Sequence, residues 1–123
     1  MSSSELSDLP EITRSVLSED GRVYLVEAAG DLDLTSAPAL STSLEAAEAS
    51  DAPSVVLDMT GVTFLDSSAI NVVLRHRSRL LDLGRTLELR APVPAVRRVL
   101  EVTGLAAVLL GPGSDGEAPA GRL

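Results

Sequence analysis

The sequence has no cysteine and no lysine, and aromatic residues make up 2% of it, a single Tyr24 and a single Phe64. Without cysteine there is no disulfide, no thiol nucleophile and no thiolate metal site. Two aromatics argue against base stacking along a nucleic acid and against an aromatic-lined small-molecule pocket. The cationic complement is ten arginines set against 18 acidic residues, a net charge of −8. Neutralising phosphates needs clustered cations without a larger acidic excess around them, so no direct nucleic-acid partner is expected and a positively charged partner surface fits better. The longest apolar run, Leu105 to Leu110, has six residues, far short of the roughly twenty that span a membrane. The opening MSSSELSDLPE has neither the basic start nor the apolar core of a signal peptide. The expectation is a soluble, cytoplasmic protein without a membrane partner.

What is present suits one domain. With 45% hydrophobic residues in 123, the chain buries roughly two thirds of the surface it would expose unfolded. Residues 1–10 and 111–123 are rich in Ser, Pro, Gly and acidic residues and are expected to be flexible tails around a domain at 11–110. Inside it, short apolar runs alternate with helical patterns, which implies an α/β fold. VYLVEAAG from Val23 reads as a strand, and Glu11 to Leu17 as an edge strand pairing back on it across Glu19-Asp20-Gly21. A helix opens at Thr35, Ser36 and Pro38, with a capping hydroxyl, and stops at Asp51 and Pro53. Ser54 to Met59 is the next strand. Ile70, Val73, Leu74, Arg77, Leu80 and Leu81 then follow helical spacing up to Gly84. Leu87 and Leu89 alternate as in a half-buried strand, Pro92 and Pro94 start a third helix, and Ala106 to Leu110 is expected to close the domain as a strand.

Chemistry-bearing residues are few. The one histidine, His76, lies within the long helix about 13 Å along its axis from Ser67, too far to share a proton. It is expected to be exposed among Arg75, Arg77 and Arg79, a solvated face on which Arg75 and Arg79 could also take a partner's carboxylates. No residue set supplies both nucleophile and base, and no phosphate-binding loop is present, so no enzyme activity and no cofactor are expected. Asp31, Asp33, Asp58 and Asp66 sit where loops after parallel strands gather. They could hold magnesium, or else Asp58 and Asp66 end a strand and cap a helix while Asp31 and Asp33 shape a turn. The sharpest feature is Asp66-Ser67-Ser68 before an apolar helical run. Asp at the N-cap puts both hydroxyls in the first turn, where free N–H groups and the helix dipole favour an added phosphate; taken alone, the motif reads first as two plain helix-start serines.

Val55 to Ile70, VVLDMTGVTFLDSSAI, resembles the phosphorylation segment of STAS-domain anti-sigma-factor antagonists. Gly30-Asp31-Leu32-Asp33 resembles that family's strand-end motif, and Val96 to Leu105 its last helix. The resemblance implies a STAS-like single domain, a mixed β-sheet with helices packed on one face, acting as a bacterial partner switch in transcription regulation and not as an enzyme. Its phosphoacceptor falls on Ser67 and its Gly-x-x-Asp acid on Asp33. Asp31, Asp33, Asp66, Ser68, Ala69 and Asn71 are then the expected interface with an anti-sigma factor that is also a serine kinase, and that kinase brings its own ATP and magnesium. Ala69 stands where many members carry glycine, and its methyl is expected to retune contact with the partner. A homodimer is a further candidate assembly. Of the rivals, a response-regulator receiver resembles families that require a lysine this chain lacks, and a STAS scaffold subunit of a transporter or signalling assembly is of a kind that often lacks the acceptor serine.

Overall fold

The computed structural model describes residues 13–111. The two expected tails, along with Glu11 and Ile12, lie outside the described residues apart from Gly111.

The chain opens with β1 (Thr13–Leu17) and β2 (Val23–Leu32), joined by a turn at Ser18–Arg22. In that turn the Ser18 hydroxyl donates to Asp20 and accepts from the N–H groups of Arg22 and Val23. Helix α1 (Ala37–Ala49) leads to β3 (Ser54–Leu65), α2 (Ser67–Asp82) to β4 (Thr86–Arg90), and α3 (Pro94–Val102) to the single turn α4 (Ala106–Leu109). The sheet order is β1-β2-β3-β4, with β1 antiparallel to β2 and the other neighbours parallel. It is the expected mixed sheet.

The helices all pack on one side of that sheet. Val26, Ala28, Val55, Leu57, Met59, Leu87 and Leu89 form one cluster with Leu40 and Leu44 of α1, Ile70, Val73 and Leu80 of α2, and Val96 and Leu100 of α3. Strand side chains alternate, so Val16, Leu25, Val56 and Glu88, Cα partners across the four strands, share the opposite face. Val55, Val56 and Leu57 are all buried, which is why β3 begins as a continuous apolar run.

Several boundaries differ from the sequence reading. β2 and β3 run on to Leu32 and Leu65, past the last β4 partner pair, Asp58 with Arg90. Beyond that pair β3 is bonded only on the β2 side, so polar and glycine residues are tolerated, and register shifts fall between Glu27 and Ala29 and between Gly30 and Asp31. Gly61 sits at this irregularity. A Cβ there would lie 3.1 Å from the Ala28 carbonyl oxygen and from the Ala29 Cβ. Asp58 is therefore inside a strand and does not end one, and Asp31 is a strand residue rather than a turn former.

The expected last strand is instead α4, leaving only a single parallel bridge between Leu89 and Leu110. His76 is also misplaced by the sequence reading. It is 1% exposed, because the buried stripe of α2 runs Ala69, Val72, Val73, His76 and Leu80, while Arg77 is half-buried and Leu81 exposed.

Candidate functional site

The carboxyl ends of β2 and β3 bring two loops together. The Asp66 N–H donates to the Leu32 carbonyl at 3.0 Å, tying the start of α2 to the end of β2. Asp66 is the N-cap of α2: its carboxylate accepts from Ser68 N at 2.9 Å and Ala69 N at 3.2 Å. These are two of the four N–H groups that a helix start leaves without intrahelical partners.

With the cap in place, Ser67 is exposed at the first position of α2 and its hydroxyl makes no hydrogen bond to another described residue. Ser68 is half-buried, and its hydroxyl also has no described partner. The two serines differ by exposure, not by a bond of Ser68 back to its own backbone. Asn71, one turn on, is exposed. Ala69 is 0% exposed. Its methyl is part of the core, so the expected side-chain contact between Ala69 and a docked partner has no surface on which to occur.

On the β2 side, the Asp33 carboxylate accepts from Thr35 N at 3.0 Å and Ser36 N at 3.2 Å, and the Asp33 carbonyl accepts from Ala37 N at 2.8 Å. The Ser36 hydroxyl does not cap α1. It donates to the Asp31 carbonyl at 2.8 Å and accepts from Asp33 N at 2.9 Å, so the entry to α1 is held chiefly from Asp33. Asp31 takes the Thr63 hydroxyl at 2.9 Å, and Asp58 takes the hydroxyl and N–H of Thr60. Asp33, Asp58 and Asp66 are thus engaged within their own loops or strands and Asp31 across to β3, and among the described residues no group of three or more His, Asp or Glu could hold a metal ion. The magnesium alternative has no site here.

Sequence reasoning missed one constellation. His76 bridges α1 and α2: Nε2 lies 3.0 Å from the Ser41 hydroxyl, and Nδ1 bonds the Glu48 carboxylate, whose other oxygen is 3.8 Å from Arg79. A set with nucleophile, base and acid in order therefore exists, contrary to expectation. Its surroundings are structural. Ser41 lies within α1, where the helical ladder occupies the neighbouring backbone N–H groups that an oxyanion would need. The signal was available: Ala69, Val73, His76 and Leu80 repeat at four, three and four residues.

The family model for the STAS domain matches residues 14–116. The chain belongs to the STAS domain family. Among solved structures it is similar to an anti-sigma factor antagonist from Mycobacterium paratuberculosis, at 28% identity over 94% of this chain and 98% of that one, with a TM-score of 0.71. It is similar in fold to the anti-sigma factor antagonist SpoIIAA in its unphosphorylated form, at 18% identity, 89% and 96% coverage and a TM-score of 0.69. The phosphorylated form of that Bacillus protein matches at 18%, 80% and 88%, with a TM-score of 0.61. The murine anion transporter Slc26a9 shares the fold over 70% of this chain and 14% of its own, at 20% identity and a TM-score of 0.61. No helix among the described residues is long and apolar enough to cross a membrane.

Proposed function

We propose that this STAS domain is an anti-sigma-factor antagonist, a partner switch that binds an anti-sigma kinase, frees the sigma factor, and is turned off by phosphorylation of Ser67. The observation that carries this is the first turn of α2: Asp66 caps it while Ser67 stands exposed and unbonded at the end of the sheet where Asp33 also emerges. The similarity to antagonists, one of them solved in unphosphorylated and phosphorylated forms, supports the same role.

Phosphorylation suits this position physically. The added group brings about −1.5 to −2 charge at neutral pH and meets the positive end of a helix, so the fold is not strained by it. Where the docked surface places no cation directly opposite Ser67, the same dianion must be stripped of water without compensation. A penalty on the order of 3 kcal/mol would already lower affinity more than a hundredfold. Asp31, Asp33, Asp66, Ser68 and Asn71 are the interface around it. The reaction is the kinase's, with this chain as substrate, so the domain itself needs no cofactor.

The test is intact mass after incubation of the pure protein with ATP and candidate histidine-kinase-like serine kinases. A single added phosphate, absent in Ser67→Ala, is expected. No phosphate from any kinase that copurifies, with transporter components copurifying instead, would favour the scaffold role that the transporter STAS fold suggests.

A further inference from the structure

The chemistry of the partner surface can be read from what surrounds Ser67, resting on the proposal that a protein partner docks there. Among the large apolar side chains left in water, two lie at this end of the sheet: Leu34, 74% exposed, and Phe64, 50% exposed. Phe64 is the only phenylalanine in the chain. It is three residues before Ser67 and is the Cα partner of Asp31. Leu34 sits in the turn that the Asp33 carboxylate fixes through Thr35 N and Ser36 N. Both are therefore presented from bonded backbone, which lowers the ordering cost of using them in a contact. Asp31 is paired with Phe64, Asp33 precedes Leu34 and Asp66 caps α2 two residues after Phe64, and no cationic residue occurs in 30–36 or 60–71.

We infer that Leu34 and Phe64 are the apolar anchors of the docking surface, and that the partner meets them with an apolar pocket rimmed by arginine or lysine. An aromatic presented from a rigid strand is the kind of side chain that dominates interface energetics when a pocket desolvates it. The acidic rim selects a cationic partner surface and speeds encounter. Ser67 is exposed three residues from Phe64 at the same strand ends, so a phosphate there keeps water beside the anchors and prevents the dry contact that holds the complex.

The experiment places the photoreactive residue p-benzoylphenylalanine at position 64, in the full chain expressed in its native cells, with position 102 as control. Val102 is 75% exposed on α3. After irradiation the joined peptides are mapped by mass spectrometry and Ser67 phosphate is followed in parallel. The expected result is one dominant adduct from position 64, to an apolar segment with Arg or Lys within a few residues. It should be absent from position 102 and at least tenfold weaker in a Ser67→Asp background. An adduct to an acidic or wholly polar segment, or the same products from 64 and 102, overturns the anchor assignment even if Ser67 is phosphorylated. The expected adduct with no phosphate on Ser67 and no loss in Ser67→Asp upholds the anchors and overturns the switch.

Discussion

Asp66 and Asp33 do similar local work, and the consequences of replacing them separate folding from switching. Each carboxylate accepts two backbone N–H groups at the entry to a helix, a role asparagine fills about as well as aspartate and alanine does not. Asp33→Asn should therefore keep the melting midpoint within a few degrees, while Asp33→Ala should cost about 1 kcal/mol. If the Asp33 charge also helps orient the kinase, Asp33→Asn should slow phosphate transfer although its stability is intact. Normal transfer in that variant would confine Asp33 to its turn. At the neighbouring serines, exposure decides. Ser67→Ala should bind the anti-sigma partner and never be phosphorylated, and Ser67→Asp should bind at least tenfold more weakly because it puts a charge into the contact. Ser68→Ala should still accept phosphate, and a phosphopeptide map that places the group on Ser68 would overturn the assignment.

At the scale of elements, the α1–α2 pair is joined by a polar bridge in an otherwise apolar seam. His76→Ala removes volume from a site that is 1% exposed and leaves Ser41 and Glu48 without their shared partner. A loss of roughly 2–4 kcal/mol is expected from the two effects together, read by urea denaturation; under 1 kcal/mol would mean the helices pack without it. The β1–β2 turn offers a milder test. The Ser18 hydroxyl first, and then the Arg22 N–H, hold the Asp20 carboxyl below its ordinary value. A depressed carboxyl contributes stability that is present above its unfolded pKa and is lost as pH falls through the folded one. An NMR titration should find the Asp20 midpoint below the usual value of about 3.9, moving back toward it in Ser18→Ala. These elements also show what the sequence could tell. The β1 edge strand, the helices opening near Pro38 and Pro94 and the Asp66 cap were legible because turn and cap residues mark them. The full length of β3 was not, because bonding to β2 alone lets Thr60, Gly61 and Thr63 sit in a strand. The five apolar residues Ala106 to Leu110 do not distinguish a turn of helix from a strand by period. His76 escapes a reading by period because Ile70, Leu74, Arg77 and Leu81 repeat at helical spacing one residue out of phase with the buried Ala69, Val73, His76 and Leu80.

For the whole molecule, the proposed switch places Ser67 at the sheet's edge and away from the packed core, so phosphorylation there is expected to change binding without changing fold. The packed side holds α1, α2 and α3 against one face of the sheet, while Ser67, Leu34 and Phe64 lie exposed at the strand ends. Two electrostatic effects of different range then act on the same complex. The net charge of −8 attracts a cationic partner over distances that salt screens, with a Debye length of about 8 Å at physiological ionic strength. A charge on Ser67 acts at contact, where little solvent remains to screen it. Binding to the kinase that phosphorylates Ser67, followed by surface plasmon resonance from low to high salt, should separate them. The association rate of the unmodified protein should fall steeply with salt, whereas Ser67→Asp should raise the dissociation rate at every salt concentration and leave the melting midpoint within a few degrees of the unmodified protein. If high salt instead restores Ser67→Asp binding to the unmodified level, the partner presents negative charge toward Ser67, and the cationic docking surface is overturned.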